Sequence, residues 1–142
     1  MSELRLVDLI PVPEAHLDTF GPLAEPWLAK ACARDAEWDL AELKAGIAEK
    51  RFQLWVCWDS AARRCVGAGV TRVSVNKRGE RIAHDVVFAG EETDRLLALL
   101  ARLEELFRAR GCVRLRISGR KGWARKLPQY RLVAVALEKA LT

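Results

Sequence analysis

The residues with the clearest chemical character in this chain are cations that lie together without acids. Residues 119–130 read GRKGWARKLPQY, which contains four cations, a Trp, a Pro and the only Tyr of the sequence. No Asp or Glu occurs between Phe107 and Leu137. Nine cations fall in that interval: Arg108, Arg110, Arg114, Arg116, Arg120, Lys121, Arg125, Lys126 and Arg131. Such a block suits phosphates, nucleic acid or an acidic protein surface; the alternative is a solvated face of elements whose apolar residues point inward.

Length and composition indicate one globular domain over residues 1–142. Hydrophobic residues make up 51% of the sequence, which is enough for a packed core and excludes a disordered chain. No apolar run is long enough to span a membrane, and the N-terminal MSELRLVDLIPVPE lacks the basic and apolar regions of a signal peptide. We therefore expect a soluble, cytoplasmic protein that does not enter a membrane.

The cysteines and histidines favour structural roles over metal binding. No CxxC pair occurs, and the two histidines, His16 and His84, are too scattered to predict a metal site. In a reducing compartment the cysteines are expected to be buried thiols. Cys57 and Cys65 flank a predicted turn, so a disulfide between them is the alternative. The four cysteines are Cys32, Cys57, Cys65 and Cys112.

Hydrophobic patterning in the first third of the chain predicts a strand followed by two helices. ELRLVDLIPV alternates as an opening strand does. Apolar residues recur at helical spacing from Pro13 to Arg34, but Pro22 and Pro26 predict a break or kink there. Asp39 followed by Glu42 has the spacing of a capping box and predicts the start of the second helix.

The remainder of the chain predicts a sheet with one crossover. FQLWVCWD, RRCVGAGVTRVSV and RIAHDVVFAG form an antiparallel meander, with Gly79 in its second turn. A long helix from Thr93 to Arg110 ends at Gly111, and CVRLRIS follows as a strand parallel to the third one. GRKGWARKL is a short helix and YRLVAVALEK a last strand. The expected fold class is α/β, a mixed sheet in the order βααβββαβαβ with one parallel crossover.

This order resembles the GNAT acyltransferase fold, and two segments carry the resemblance. LLALLARLEELFRARGCVRLRIS is similar to the helix and strand of the family's motif A. GWARKLPQYRLVAVALEK is similar to motif B, and a G-W-A-R-x-L-x-x-Y run resembles small GNAT-like proteins of tailed phages and prophages. The resemblance implies an acetyl-CoA-dependent N-acyltransferase. The alternative is a GNAT-fold protein without catalysis that binds an anionic protein or nucleic acid through its basic surface, or associates with a virion.

The resemblance also implies where acetyl-CoA binds. In the family a splayed strand exposes its backbone to the pantetheine, and a glycine-containing loop before a helix holds the pyrophosphate. Basic residues of motif B are implied as further contacts to the phosphates. The cofactor-binding residues implied in this way are Phe88, Ala89, Gly90, Thr93, Arg95, Arg120, Lys121 and Arg125.

The predicted pyrophosphate loop departs from the family pattern R/Q-x-x-G-x-G/A. It falls on EETDRL, where Asp94 and Leu96 stand at the glycine positions and Glu91, Glu92 and Asp94 bring three acids. Acids in a first helical turn commonly stabilise the helix. The same acids repel a pyrophosphate by about 1–4 kcal/mol for each like charge at about 4 Å. The loop is therefore predicted to be degenerate.

The catalytic residues implied by the resemblance are Asp85, as general base on the meander, and Tyr130, as general acid in motif B. Strand alternation places Asp85 and His84 on opposite faces. The alternatives are that Asp85 points to solvent and that Tyr130 is a structural aromatic, since Leu127 lies nearer the donor position and cannot transfer a proton. The acyl acceptor or protein partner is not indicated, and nucleic acid is the less favoured partner.

Overall fold

One five-stranded sheet organises the chain. The computed structural model describes residues 7–34, 37–91, 93–118, 127–133 and 137–141, with side chains for all of these except 93–97. A short 3-10 turn, Glu14–His16, precedes the first helix. The strands and α-helices are β1 (Val7–Pro11), α1 (Leu17–Arg34), α2 (Leu40–Ala48), β2 (Gln53–Asp59), β3 (Arg64–Val75), β4 (Arg81–Gly90), α3 (Thr93–Ala109) and β5 (Cys112–Ile117).

The strands lie in the order β1-β2-β3-β4-β5. Neighbouring strands from β1 to β4 are antiparallel, whereas β4 and β5 are parallel and are joined through α3. The predicted antiparallel meander and the single parallel crossover are therefore confirmed.

The core lies on both faces of the sheet. On one face α1 packs against β3 and β4, and the buried residues there include Leu28, Leu43 and Val70. On the other face α3 covers a second cluster that contains Trp55 and Phe107, whose rings meet edge to face at 5.8 Å between centroids. The sheet is thus buried on both sides, which explains the nearly continuous apolar runs in β2, β3 and β4.

The helix boundaries follow local signals, with one exception. The Asp39 carboxylate accepts from the Glu42 backbone N–H at 2.8 Å in a complete capping box, and Gly111 has the positive φ of a C-terminal cap. The predicted break at Pro22 and Pro26 is wrong, because α1 runs through both prolines. Each proline removes one backbone hydrogen bond, but the packing of Ala24, Leu28 and Ala31 against the sheet holds the helix together.

The second half of motif B is less regular than its apolar pattern predicts. The predicted short helix at 119–126 lies outside the described residues. Residues 130–133 and 137–139 of the predicted last strand are described and are irregular. The side chains of Leu132 and Leu137 are 77% and 94% exposed, so these apolar residues meet neither a sheet edge nor the core. An apolar run forms a strand only where an edge receives its hydrogen bonds.

No helix among the described residues is both long and apolar enough to cross a membrane. The same part of the chain brings no three His, Cys, Asp or Glu side chains together in a way that suits a metal ion.

Candidate functional site

The pairing of β4 with β5 stops within β4, at the carboxyl end of β5. The last paired residues of the two parallel strands are Asp85 and Ile117, but β4 continues to Gly90. No strand within the described ranges pairs with the β5-facing edge of residues 86–90. Val86 is also the extra residue of a β-bulge, because Val70 pairs with Val87 and Thr71 pairs with Asp85. Among the described residues, the β5-facing backbone edge of 86–90 therefore has no strand partner, and we call the space beside this edge the candidate cleft.

Two of the predicted cofactor residues present only their backbone to this cleft. The Phe88 ring packs on the α3 face and lies where a Cβ at Gly69 would be, which is why a glycine is needed in β3. The side chain of Ala89 is buried on the α1 face. A ligand along this edge of β4 therefore meets peptide groups rather than side chains.

The entrance to α3 carries one acid that is neutralised. Glu91 forms a bidentate ion pair with Arg64, with N···O distances of 2.5 Å, and its N–H donates to the carbonyl of Val66 at 2.9 Å. Thr93 begins the helix, as predicted. Glu92 and the side chains of residues 93–97 lie outside the described part, as do Arg120, Lys121 and Arg125. The degenerate loop and the roles of these residues stay predictions.

Asp85 lies on the α3 face of β4 and forms the last pair with β5. Its cross-strand partner Thr71 is fully buried, and the Thr71 hydroxyl accepts from the Trp55 indole N–H at 2.7 Å. The Asp85 Oδ1 atom is shielded from solvent and has no hydrogen-bond partner in the described chain. Burial raises the pKa of this carboxyl to about 7. A carboxyl that titrates near neutral pH at a cleft can accept and release a proton.

Tyr130 reaches the same face of the sheet. Its hydroxyl donates to the Glu104 carboxylate of α3. Burial raises the pKa of Tyr130, and the Glu104 hydrogen bond, the Glu104 charge and the Asp85 charge raise it further. The fold thus brings Asp85, Tyr130 and Glu104 together, which are separated by as many as 45 residues in the sequence.

Sequence reasoning missed Glu104. Its position follows Leu100 by four residues and Leu103 by one, so it lies at the margin of the apolar stripe that packs against the sheet. A carboxylate in such a position is half-buried in the structure and needs a donor. The need of the Glu104 carboxylate for a hydrogen-bond donor was the signal that the sequence offered, and the Tyr130 hydroxyl is that donor.

His84 lies on the opposite face from Asp85, as strand alternation predicts. Its Nε2 atom is 2.8 Å from the Ser74 hydroxyl. Burial lowers the pKa of His84, and the neighbouring Arg72 and Arg116 charges lower it further. His84 therefore belongs to a different surface from the Asp85 cleft wall.

The cysteines take the predicted structural role. All four are free thiols, so the alternative of a disulfide between Cys57 and Cys65 is wrong. Burial raises the pKa of Cys57 to about 12, with a smaller contribution from Cys65, and the Cys65 thiol donates to the carbonyl of Gly67 at 3.1 Å. A thiol with such a pKa is not a nucleophile at neutral pH.

Solved structures with this arrangement of strands are acetyltransferases, although the sequences are distant. A putative acetyl transferase from Pyrococcus furiosus is 14% identical, with 96% of this chain and 100% of that chain covered and a TM-score of 0.68. A GNAT family acetyltransferase from Staphylococcus aureus is 12% identical, with coverage of 95% and 98% and a TM-score of 0.63. An aminoglycoside acetyltransferase from a soil metagenome, solved with sisomicin, is 14% identical, with coverage of 96% and 97% and a TM-score of 0.67.

No family model matches the sequence, and no curated protein matches it significantly. The likeness to the solved structures therefore shows the fold alone. The chain has the GNAT fold, as its element order through the motif A helix and strand predicts.

Proposed function

We propose that this protein is an acetyl-CoA-dependent N-acyltransferase whose reaction takes place in the cleft between β4 and β5. The observation that carries the proposal is the position of Asp85. In a GNAT fold, a carboxyl with one shielded, unpartnered oxygen and a raised pKa lies at the last residue of β4 that pairs with β5. Fold alone does not imply function, and the chemistry of this carboxyl is what supports the proposal.

The cleft suits a linear ligand that contains amide groups. The edge of residues 86–90 offers peptide groups that no described strand pairs with. The pantetheine arm of acetyl-CoA carries amides that can add to such an edge in the manner of an extra strand. The Arg64–Glu91 ion pair neutralises the charge of one of the three acids predicted near the pyrophosphate.

The Asp85 carboxylate is the proposed general base. Acetyl-CoA supplies an activated acetyl thioester. A protonated amine is not a nucleophile, and Asp85 accepts its proton, directly or through a water molecule. The new bond joins the amine nitrogen to the acetyl carbon, the carbon–sulfur bond breaks, and the leaving sulfur takes up a proton. Tyr130 is the predicted donor, although Glu104 holds its hydroxyl proton in the structure.

Calorimetric titration tests the proposal most directly. We expect acetyl-CoA to bind to the wild-type protein and to Asp85→Asn alike, because Asp85 acts on the acceptor amine and does not hold the coenzyme. Only the wild type should release coenzyme A when amines are added. Absence of heat and of any thermal shift at millimolar acetyl-CoA contradicts the proposal.

Comparing the affinity for acetyl-CoA with that for acetyl-pantetheine, which lacks the pyrophosphate, distinguishes binding at the β4 edge from binding at the phosphate loop. A degenerate loop predicts that acetyl-CoA binds less than about tenfold more tightly than acetyl-pantetheine, since like charges offset the phosphate contacts. A much larger ratio means that the loop holds the pyrophosphate well. If neither ligand binds, the result favours the alternative prediction, which is a phage- or prophage-type GNAT-fold protein that binds a partner or associates with a virion.

A further inference from the structure

Two carboxyls and one hydroxyl lie together on the α3 face of the sheet. Asp85 belongs to β4, Glu104 to α3 and Tyr130 to the segment after β5. The Tyr130 hydroxyl donates to the Glu104 carboxylate, and the Asp85 charge contributes to the raised pKa of that hydroxyl. Asp85 is therefore close to Tyr130, although the Asp85 Oδ1 atom accepts no hydrogen bond from it. We call Asp85, Glu104 and Tyr130 the acidic triad.

The free polar atoms of the acidic triad are hydrogen-bond acceptors. An ionised carboxylate has no proton to donate, and the single proton of the Tyr130 hydroxyl is engaged with Glu104. A carboxylate has about four lone-pair sites, so the Glu104 oxygens can accept further hydrogen bonds. The Asp85 Oδ1 atom accepts none within the described chain. A ligand bound at the acidic triad must therefore supply donors.

The negative charge of the acidic triad is not balanced by a cation of the described chain. Neither Asp85 nor Glu104 forms an ion pair there, whereas the neighbouring Glu105 pairs with Arg102 at 3.3 Å. Glu105 is exposed, but Glu104 is half-buried, so water compensates the Glu104 charge less well. Burial is the only cause of the raised pKa of Asp85, which means that no nearby cation offsets it. The two carboxylates therefore attract a cationic ligand.

The acidic triad contains the proposed general base and adjoins the candidate cleft. Asp85 is the last residue of β4 that pairs with β5, and the edge of residues 86–90 continues directly from it. The Oδ1 atom of Asp85 is shielded, but the residue as a whole is partly accessible, as is Glu104. Both residues are therefore open to a small ligand from solvent.

We propose that Glu104 is a specificity-determining residue, which selects as acyl acceptor a small amine with a second positive charge, such as a diamine. The inference rests on the proposed function, because it names the acceptor class for the same site. The reacting ammonium gives its proton to Asp85, and the second ammonium donates to Glu104, which the Tyr130 hydroxyl holds in place. An ammonium group has only N–H donors, which matches a site whose free atoms only accept.

The net charge of the chain opposes nonspecific binding of a diamine. It is +5 at pH 7, so the average electrostatic field of the protein repels cations. Saturable binding of a diamine would thus report a local site. An anionic or uncharged acceptor gains nothing from Glu104, because it brings either a like charge or no charge to the carboxylate.

Three acceptors of matched length test the substrate class: 1,4-diaminobutane, butylamine and 4-amino-1-butanol. In the wild type we expect the KM of the diamine to be lower by about tenfold or more, because a hydrogen bond to a charged group contributes this much. Glu104→Gln should abolish the difference, whereas Glu105→Gln, which changes an exposed carboxylate, should keep it within about twofold. A purely structural role of Glu104 would move all three KM values together. That result, or equal KM values in the wild type, overturns the inference while leaving the proposed function intact.

Calorimetric titration with 1,4-diaminobutane tests the acidic triad without catalysis. At fixed pH and ionic strength, with and without coenzyme A, the wild type should bind the diamine saturably. Binding should weaken by about tenfold or more in Glu104→Gln and stay within about twofold in Glu105→Gln. Saturable binding without acetyl transfer would support the diamine site and contradict the proposed function. Absence of saturable heat overturns the inference whether or not the protein acetylates amines.

Discussion

At Asp85 the proposed role as a base comes with an energetic cost. Its Oδ1 atom has no partner in the described chain, and burial alone accounts for the rise of its pKa to about 7. A carboxyl in an ordinary structural role is hydrogen-bonded when buried. Perturbed carboxyls of this kind are concentrated at functional sites, which is the physical reason for assigning the base to Asp85.

Asp85→Asn should lower kcat/KM for acetyl transfer by about 10²–10⁴-fold, because the amide cannot accept the amine proton. In the wild type, kcat/KM should rise with pH through about 7 and level off above about pH 8, since only the carboxylate is active. Rates measured from pH 5 to 9 check both statements. Glu105→Gln, a change to an exposed carboxylate, is the control and should leave the profile unchanged. A wild-type rate that is flat across this range contradicts the assignment.

Asp85→Asn should also stabilise the folded protein at high pH. The pKa of Asp85 is raised on folding from 3.8 to about 7, so between these values the folded state binds more protons than the unfolded state. The free energy of unfolding therefore falls as pH rises through this window, by about 4 kcal/mol in total. Urea denaturation should show that the free energy of unfolding of Asp85→Asn increases relative to that of the wild type from pH 4 to pH 8. A constant difference between the two proteins would show that Asp85 titrates normally.

Tyr130→Phe separates a structural role from proton donation. Its hydroxyl already donates to Glu104, so we expect a loss of about 1–3 kcal/mol in the free energy of unfolding, because a half-buried carboxylate loses its donor. We expect kcat to change less than tenfold. Glu104→Gln keeps an acceptor for the hydroxyl and should cost less stability. A loss of kcat above a hundredfold at unchanged stability would instead identify Tyr130 as the proton donor.

At the scale of elements, β4 decides the shape of the site. It pairs along its length with β3, loses β5 after Asp85, and takes an extra residue at Val86. Its register also depends on the neighbouring strand, because the Phe88 ring occupies the space that a side chain at position 69 would need. Because Gly69 has no side chain, the Phe88 ring can pack on β3, and this packing fixes the position of the β4 edge.

Gly69→Ala should damage this support. The new methyl group would overlap the Phe88 ring, so we expect a loss of about 1–3 kcal/mol of stability and weaker acetyl-CoA binding as the β4 edge shifts. Gly21→Ala is the matched control, since nothing lies within 4 Å of its new methyl group and alanine favours the helix by about 0.5–1 kcal/mol. Denaturation and calorimetry on both variants test this. Unchanged acetyl-CoA affinity in Gly69→Ala contradicts the link between Phe88 and the cleft.

At the scale of the whole molecule, cations that are close together in the sequence lie on different faces of the sheet. Arg110 lies over the rings of Trp55 and Phe107 on the α3 face, whereas Arg116 lies on the opposite face. Arg114 is paired with Glu80. The described part of the nine-cation block is therefore not one surface. Arg72 and Arg116, which are 44 residues apart in the sequence, lie on the same face of the sheet.

Periodicity and turn chemistry were sufficient to predict most of the fold. β4 and β5, the capping box at Asp39 and the cap at Gly111 follow from local rules. Tertiary packing overrode the proline signal in α1, and an apolar pattern without a receiving edge failed as a strand after Tyr130. The alignment of Arg72, His84 and Arg116 on three strands and the Glu104–Tyr130 contact depend on register and on long-range packing, which spacing in the sequence does not specify.

The two strands beside the candidate cleft are unequally paired among the described residues. There β4 has nine register pairs with β3 and helices on both faces, whereas β5 has five register pairs with β4 and packs against α3. A wall fixed by fewer contacts opens locally at a lower free energy than global unfolding. In native-state hydrogen exchange, β5 amides should exchange faster than those of β2 and β3, with bound acetyl-CoA slowing β5 most. Such exchange would mean that the β4 edge becomes accessible when β5 moves against the meander, without unfolding of the core.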